Sequence, residues 1–291
     1  LPNGLRLVVV ENHEVPFVSM TLRLLAGGWA EPKPAVAAFA ARMLTRGTAD
    51  YSSAELAQAL ETYAIEMAGD ATMDATNITA SCLSEHFQRT MDLLGQIVLE
   101  PTFPTEQFEK LQAQILTQLA VKEKDAAYLA DRELRRRLFG DHPYARSAES
   151  TSTAVRNLKV ENLAPWWNQC ANPAEAILVI AGDVNPDDAT AAVARTFAHW
   201  KPADPSEGPS TTPAVPTATH IYLVNRPNAV QSQIRIGQLG VRRTDPRYFT
   251  TRMINGYFGS AFGSRLMRSL RVEKGLTYGA RGGYSARRFA G

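Results

Sequence analysis

The sequence predicts an α+β fold of two related halves, each a mainly antiparallel sheet packed with helices, the second half incomplete. Three observations carry this. Alternating apolar and polar runs read as strands, and longer stretches of helical periodicity lie between them. A strand–turn–strand–helix order begins at Leu5 and begins again at His220, weak in identity but matching in order. Between the copies, residues 201–219 hold Pro202, Pro205, Pro209, Pro213 and Pro216 among Ser, Thr and Gly, the clearest linker in the chain. The expected division is a first domain over 1–200, a linker over 201–219 and the start of a second domain over 220–291.

Residues 5–10 (LRLVVV) read as a strand, 11–16 as a turn, and 17–24 (FVSMTLRL) as a second strand antiparallel to the first. Gly27 and Gly28 end it. Residues 33–45 are alanine-rich and helical by propensity, stopped by Gly47. Ser52 and Glu55 form a capping box that opens the next helix. Residues 66–81 read as two short strands around Asp74. Helices follow over 85–99, from Pro104 to about 124, and over 126–139. Asp141-His142-Pro143-Tyr144 is a loop in which His142 is expected to be structural. Another helix covers 160–170, and 176–181 (AILVIA) read as a central strand. Asn185-Pro186-Asp187-Asp188 has a cap, a proline at the first helical position and first-turn acids. In the second copy, strands are expected over 220–224 and 231–239 and a helix over 248–257.

The chain has 291 residues, 45% of them hydrophobic and 21% charged, with a net charge of +2. This is an ordinary globular mix with nothing in the total charge that calls for nucleic acid. The arginines within 132–137 sit beside Asp131 and Glu133 and read as a solvated helix face. No apolar run reaches the roughly 18 residues a membrane-spanning helix needs. The two cysteines, Cys82 and Cys170, can make neither a disulfide scaffold nor a zinc knuckle and are expected as buried thiols. The five histidines are His13, His86, His142, His199 and His220, and no two lie within helical reach of each other. No nucleophile elbow, phosphate loop or dinucleotide fingerprint is present.

The tail is the most informative stretch. A glycine-bearing turn leads into a helix expected over 264–274, with Leu266, Met267 and Leu270 as its apolar stripe. Gly275 sits where a left-handed cap belongs, and a strand is expected from Leu276 to Ala280. Arg271 falls in the last helical turn and Tyr278 early in the strand. Two readings are open: a helix-end charge with a core aromatic, or a guanidinium and a phenol converging on one carbonyl oxygen.

The order of elements, the linker and three motifs together resemble the M16 (pitrilysin-like) zinc metallopeptidase family. The motifs are LPNGLR at 1–6, HPY at 142–144 and LRVEKGLTY at 270–278. The resemblance covers essentially the whole chain and implies LuxS/metallohydrolase-like domains, two homologous halves that enclose a chamber. Active members of the family carry His-x-x-Glu-His on the first long helix and a further glutamate well along the chain. Two histidines four apart share one helix face and hold zinc, and the glutamate between them polarises the bound water. Here the two histidine positions are Ala38 and Arg42, the base position is Ala41, and the distant ligand position falls at about Gln118. Alanine has no ligand atom, arginine does not deprotonate to coordinate, and a glutamine carbonyl is a poor zinc ligand.

The resemblance therefore implies no metal in this chain, and zinc in a partner subunit that carries His-x-x-Glu-His. It implies a peptide substrate, with no nucleic acid and no membrane. Family members that have lost the zinc motif but kept the Arg/Tyr pair associate with such a partner. In the family that pair holds the substrate backbone and the oxyanion. Carried over, the role falls on Arg271 and Tyr278. The alternative is a purely structural core subunit of a larger complex.

Overall fold

The computed structural model describes all 291 residues. The chain divides into two compact units, Leu1–Arg132 with Arg146–Gly208, and Glu133–Ala145 with Pro209–Gly291.

The first unit is built on five strands: β1 Arg6–Glu11, β2 Phe17–Leu24, β3 Glu66–Ala71, β4 Thr76–Leu83 and β5 Ala176–Gly182. Their order is β1-β5-β2-β4-β3. β1 runs parallel to β5, and every other pair is antiparallel. β2 is antiparallel to β1 as expected, but the two do not pair. The two strands run in opposite directions, but β5 lies between them, with Leu178 in register with Leu7 on one side and Leu22 on the other. Gly182 permits this insertion. Its φ is +135°, and a Cβ there would strike the Phe17 carbonyl.

The alternation read along the strands places one face inward. Val18, Met20, Leu22 and Leu24 of β2 are buried, as are Ile78, Ala80 and Cys82 of β4 and Leu178 and Ile180 of β5. Helices α1 Val36–Met43, α2 Ser53–Thr62, α3 Phe87–Leu99 and α4 Thr105–Lys122 supply the rest of this core, together with α6 Ser152–Asn157, α7 Leu163–Cys170 and α8 Pro186–Thr196, whereas α5 Ala126–Phe139 buries none of its residues. The division between units falls inside α5. The expected caps are in place. Ser52 and Glu55 make the reciprocal capping box of α2, and the Asn185 side chain accepts from the Asp187 N–H at 2.9 Å to open α8. Both cysteines are buried, and burial pushes the Cys170 thiol up to about 12.

The second unit departs further from expectation. The helix α9, Tyr248–Asn255, forms as read and continues into a π-helical turn, Gly256–Ser260. None of the segments 220–224, 231–239 and 276–280 is a strand. Alternation makes a strand only when a neighbouring edge accepts its hydrogen bonds and one face finds cover. Ile221, Leu223 and Ile236 are each more than 90% exposed, so neither condition is met. The helix expected over 264–274 is a short α-helix, α10 Arg265–Met267, followed by a π-helical segment, Arg268–Glu273. His142 is buried, and its Nδ1 accepts from the Tyr144 N–H at 3.1 Å, a structural role as expected.

Candidate functional site

α1 carries the positions that resemble the zinc motif. All its residues except Arg42 are buried, and five of its eight are Val or Ala. Small side chains let the helix lie against β3, so closely that a Cβ on Gly69 would strike the Ala41 carbonyl. Ala38 is 1% exposed and Ala41 is fully buried. Neither position has spare volume, and neither presents a donor.

The start of α1 is held by a buried carboxylate. Glu31 accepts from the Ala35 N–H at 3.1 Å and from the Ala37 N–H at 3.0 Å, taking up donors that a helix N-terminus leaves unpaired. Arg146 donates from Nε to Glu31 at 3.2 Å and from Nη2 to the Gly28 carbonyl at 2.9 Å. Burial pushes the Glu31 carboxyl up to about 7, against the pull of the Ala37 and Ala35 N–H groups and the Arg146 guanidinium.

At the other end of α1, Arg42 enters a salt cluster. Its Nη2 lies 3.2 Å from Asp70 on β3 and 3.3 Å from Glu149. Lys122, at the end of α4, lies 2.6 Å from the other Glu149 oxygen. Burial raises the Glu149 carboxyl, but Lys122 and Arg42 outweigh it and hold the group below the usual carboxylate range. Gln118 lies on the exposed side of α4, one helical turn before Lys122.

This donor set does not fit zinc. Two fixed cations stand among the only carboxylates, and no histidine or cysteine joins them. No group of three or more His, Cys, Asp or Glu side chains able to hold a metal ion occurs in the chain. The cluster is electrostatically closed by its own residues.

Arg271 and Tyr278 are brought together within the second unit. The guanidinium carbon stands 4.7 Å from the centroid of the Tyr278 ring and 5.7 Å from that of Phe262. The turn between them produces this. Gly275 has φ +62°, the left-handed cap expected from its position, and the Leu276 N–H donates to the Leu270 carbonyl at 2.9 Å. The reading of Tyr278 as a core aromatic is corrected, since it is 88% exposed. A guanidinium stacked on a ring face keeps its in-plane N–H donors directed outward.

Sequence reasoning missed Glu31, Arg146, Asp70, Glu149 and Lys122. Glu31 stands before Pro32-Lys33-Pro34 and reads as a loop residue. A buried acid a few residues ahead of an alanine-rich helix with no Ser, Thr or Asn cap was the available signal. The partners of Arg42 lie 28 and 107 residues away, and no local pattern announces them.

Comparison with known proteins agrees with this architecture. Residues 6–152 match the family model described as insulinase, peptidase family M16, and residues 157–289 match the one described as peptidase M16 inactive domain. A Helicobacter pylori protein named non-peptidase homolog YmxG is 25% identical over 271 residues, covering 92% of this chain and 62% of that protein. A Bacillus subtilis protein named uncharacterized zinc protease YmxG is 20% identical over 278 residues, covering 95% of this chain and 67% of that protein. The crystal structure of a peptidase M16 inactive domain from Pseudomonas fluorescens superimposes with a TM-score of 0.84 at 26% identity, covering 98% of this chain and 69% of that one. The chain thus spans about two thirds or less of the length of the curated relatives named here. With both family models matched in order along one chain, it belongs to the M16 peptidase family.

Proposed function

We propose that this chain is the non-catalytic subunit of a heterodimeric M16-type zinc peptidase. It binds peptide in a chamber shared with a zinc-bearing partner that carries His-x-x-Glu-His, and it supplies Arg271 and Tyr278 to that partner's zinc site. On this reading residues 1–200 are the first M16-type domain with a degenerate zinc site, 201–219 the linker, and 220–291 the start of the second domain.

The observation that carries the proposal is a contrast. Arg42 is consumed by Asp70 and Glu149. Arg271 and Tyr278 stand side by side with the ring almost wholly exposed. Folding stability gains little from an exposed tyrosine. A guanidinium and a phenol O–H are donors suited to a carbonyl oxygen that becomes negative as it is attacked, and such preorganised donors act through the transition state. The chain's own residues thus bind and orient the peptide and hold the developing oxyanion.

The test is reconstitution. The purified chain is mixed with a zinc-bearing M16 subunit from the same cell, and the mixture is followed by gel filtration and by cleavage of an unstructured peptide. The proposal expects a stable heterodimer and cleavage faster than the partner achieves alone. A partner that cleaves equally well by itself would refute it.

A further inference from the structure

The strand order β1-β5-β2 obliges the loop that joins β1 to β2 to cross the end of β5. Backbone bonds fix the two ends of the crossing. The Asn12 N–H donates to the Gly182 carbonyl at 2.9 Å, the Asp183 N–H to the Phe17 carbonyl at 3.0 Å, and the Ser84 N–H to the Pro16 carbonyl at 3.1 Å. Between those ends, the side chain that ties the loop to β5 is His13. Its Nδ1 lies 2.5 Å from Asp183, directly after β5, and its Nε2 lies 2.8 Å from Glu11, the last residue of β1.

Both ring nitrogens therefore face carboxylate oxygens. An ionised carboxylate only accepts, and a neutral imidazole has a single N–H to give. Only the doubly protonated ring satisfies both contacts. The charged groups facing the ring are Glu11 from β1 and Asp183 from the end of β5. β4 ends beside them in Leu83 and Ser84, which carry no charge, and the Ser84 hydroxyl bonds Asp183. Glu14 and Glu85, acids of the flanking segments, make no bond to the ring, and no lysine or arginine pairs with Glu11 or Asp183. The hydrogen bonds to Asp183 and then Glu11 hold the His13 ring above the usual histidine value, and His13 in turn holds Asp183 below the usual carboxylate range.

We propose that His13 is a proton-dependent clasp, which ties the β1–β2 crossing to the end of β5 when protonated and lets it loosen when neutral. The folded chain holds this proton more tightly than the unfolded chain. The clasp is therefore fully present below the ordinary histidine value, about 6.5, and is lost as pH rises through the higher folded value. Above it, one ring nitrogen presents a lone pair to a carboxylate, and Glu11 and Asp183 face each other across a neutral ring. The ring is more than half exposed, so salt weakens the clasp. Val15 in the crossing is exposed, as is Phe17 after it, so the proton sets how firmly an apolar loop tip is held. The inference is independent of the peptide-binding reading above.

The test joins a histidine titration to hydrogen exchange on the intact chain. Imidazole nitrogen shifts are expected to show both His13 nitrogens protonated in mild acid, with a midpoint above that of a histidine in an unstructured peptide. Glu11→Gln and Asp183→Asn should each lower that midpoint. Exchange at the Phe17 and Ser84 amides is then compared between His13→Gln and the wild type at each pH, a ratio from which the intrinsic pH dependence of exchange cancels. The variant is expected to exchange about threefold or more faster below the midpoint, and at the wild-type rate well above it. A His13 midpoint equal to the peptide's overturns the clasp, and this wild-type measurement decides even where a variant fails to fold. A ratio near one in acid, or one that does not fall as pH rises, overturns it as well.

Discussion

Arg42 reaches Glu149 across 107 residues of sequence, with 3.3 Å between guanidinium and carboxylate, at the end of the helix that resembles a zinc-motif helix. Together with Asp70 and Lys122 it joins α1, β3, α4 and the segment before α6 through charge. Arg42 and Glu149 are half-buried, so their pairing counts for more than a surface ion pair. Arg42→Ala is expected to destabilise the first unit by about 1–2 kcal/mol. The double variant Arg42→Ala/Glu149→Gln should cost less than the sum of the two single changes. Denaturant titrations of the three variants check this, and strict additivity would show that the pair is uncoupled.

Restoring the motif on α1 alone is expected not to restore a metal site. Ala38 and Ala41 are buried, so Ala38→His/Ala41→Glu/Arg42→His overpacks α1 against β3, at a cost of about 1–3 kcal/mol per misfit. The triple change also adds no carboxylate at Gln118, the position that the family resemblance assigns to the distant ligand. Metal analysis after dialysis should find well under one zinc per chain.

Glu31 gives a pH signature. Its carboxyl value in the folded chain, about 7, lies above the ordinary 4.5, so the folded chain binds more protons than the unfolded chain between those values. Its contribution to stability is therefore full below about 4.5 and falls as pH rises through 7, by on the order of 3 kcal/mol in all. In Glu31→Gln that part of the slope should vanish. Carboxyl carbon shifts of labelled glutamate should show one group titrating near neutrality in the wild type and none in the variant.

These predictions divide along the line between what was readable in the residues and what was not. The Ser52–Glu55 capping box, the Asn185–Pro186 helix start and the Gly275 left-handed cap are written in residues a few positions apart, and each formed as read. The opposite directions of β1 and β2 were readable, but their separation by β5 was not, because β5 arrives more than 150 residues later in the chain. The runs at 220–224 and 231–239 have the alternation of strands but no edge to pair with, and alternation alone does not supply one. At the site, Ala38, Ala41, Arg42, Arg271 and Tyr278 were singled out by the family resemblance and by no contact readable between them. The acids that close the cluster around Arg42 depend on tertiary contacts and left no local trace.

The stacked pair in the second unit carries the central claim, and one measurement addresses it directly. In the reconstituted heterodimer, kcat for an unstructured peptide is compared for the wild type, Arg271→Ala and Tyr278→Phe, with gel filtration confirming that each complex assembles. If the two side chains donate to the oxyanion, each change lowers kcat by about a hundred- to a thousandfold at unchanged assembly. Wild-type kcat in both assembled variants would contradict the assignment of Arg271 and Tyr278 to the partner's chemistry.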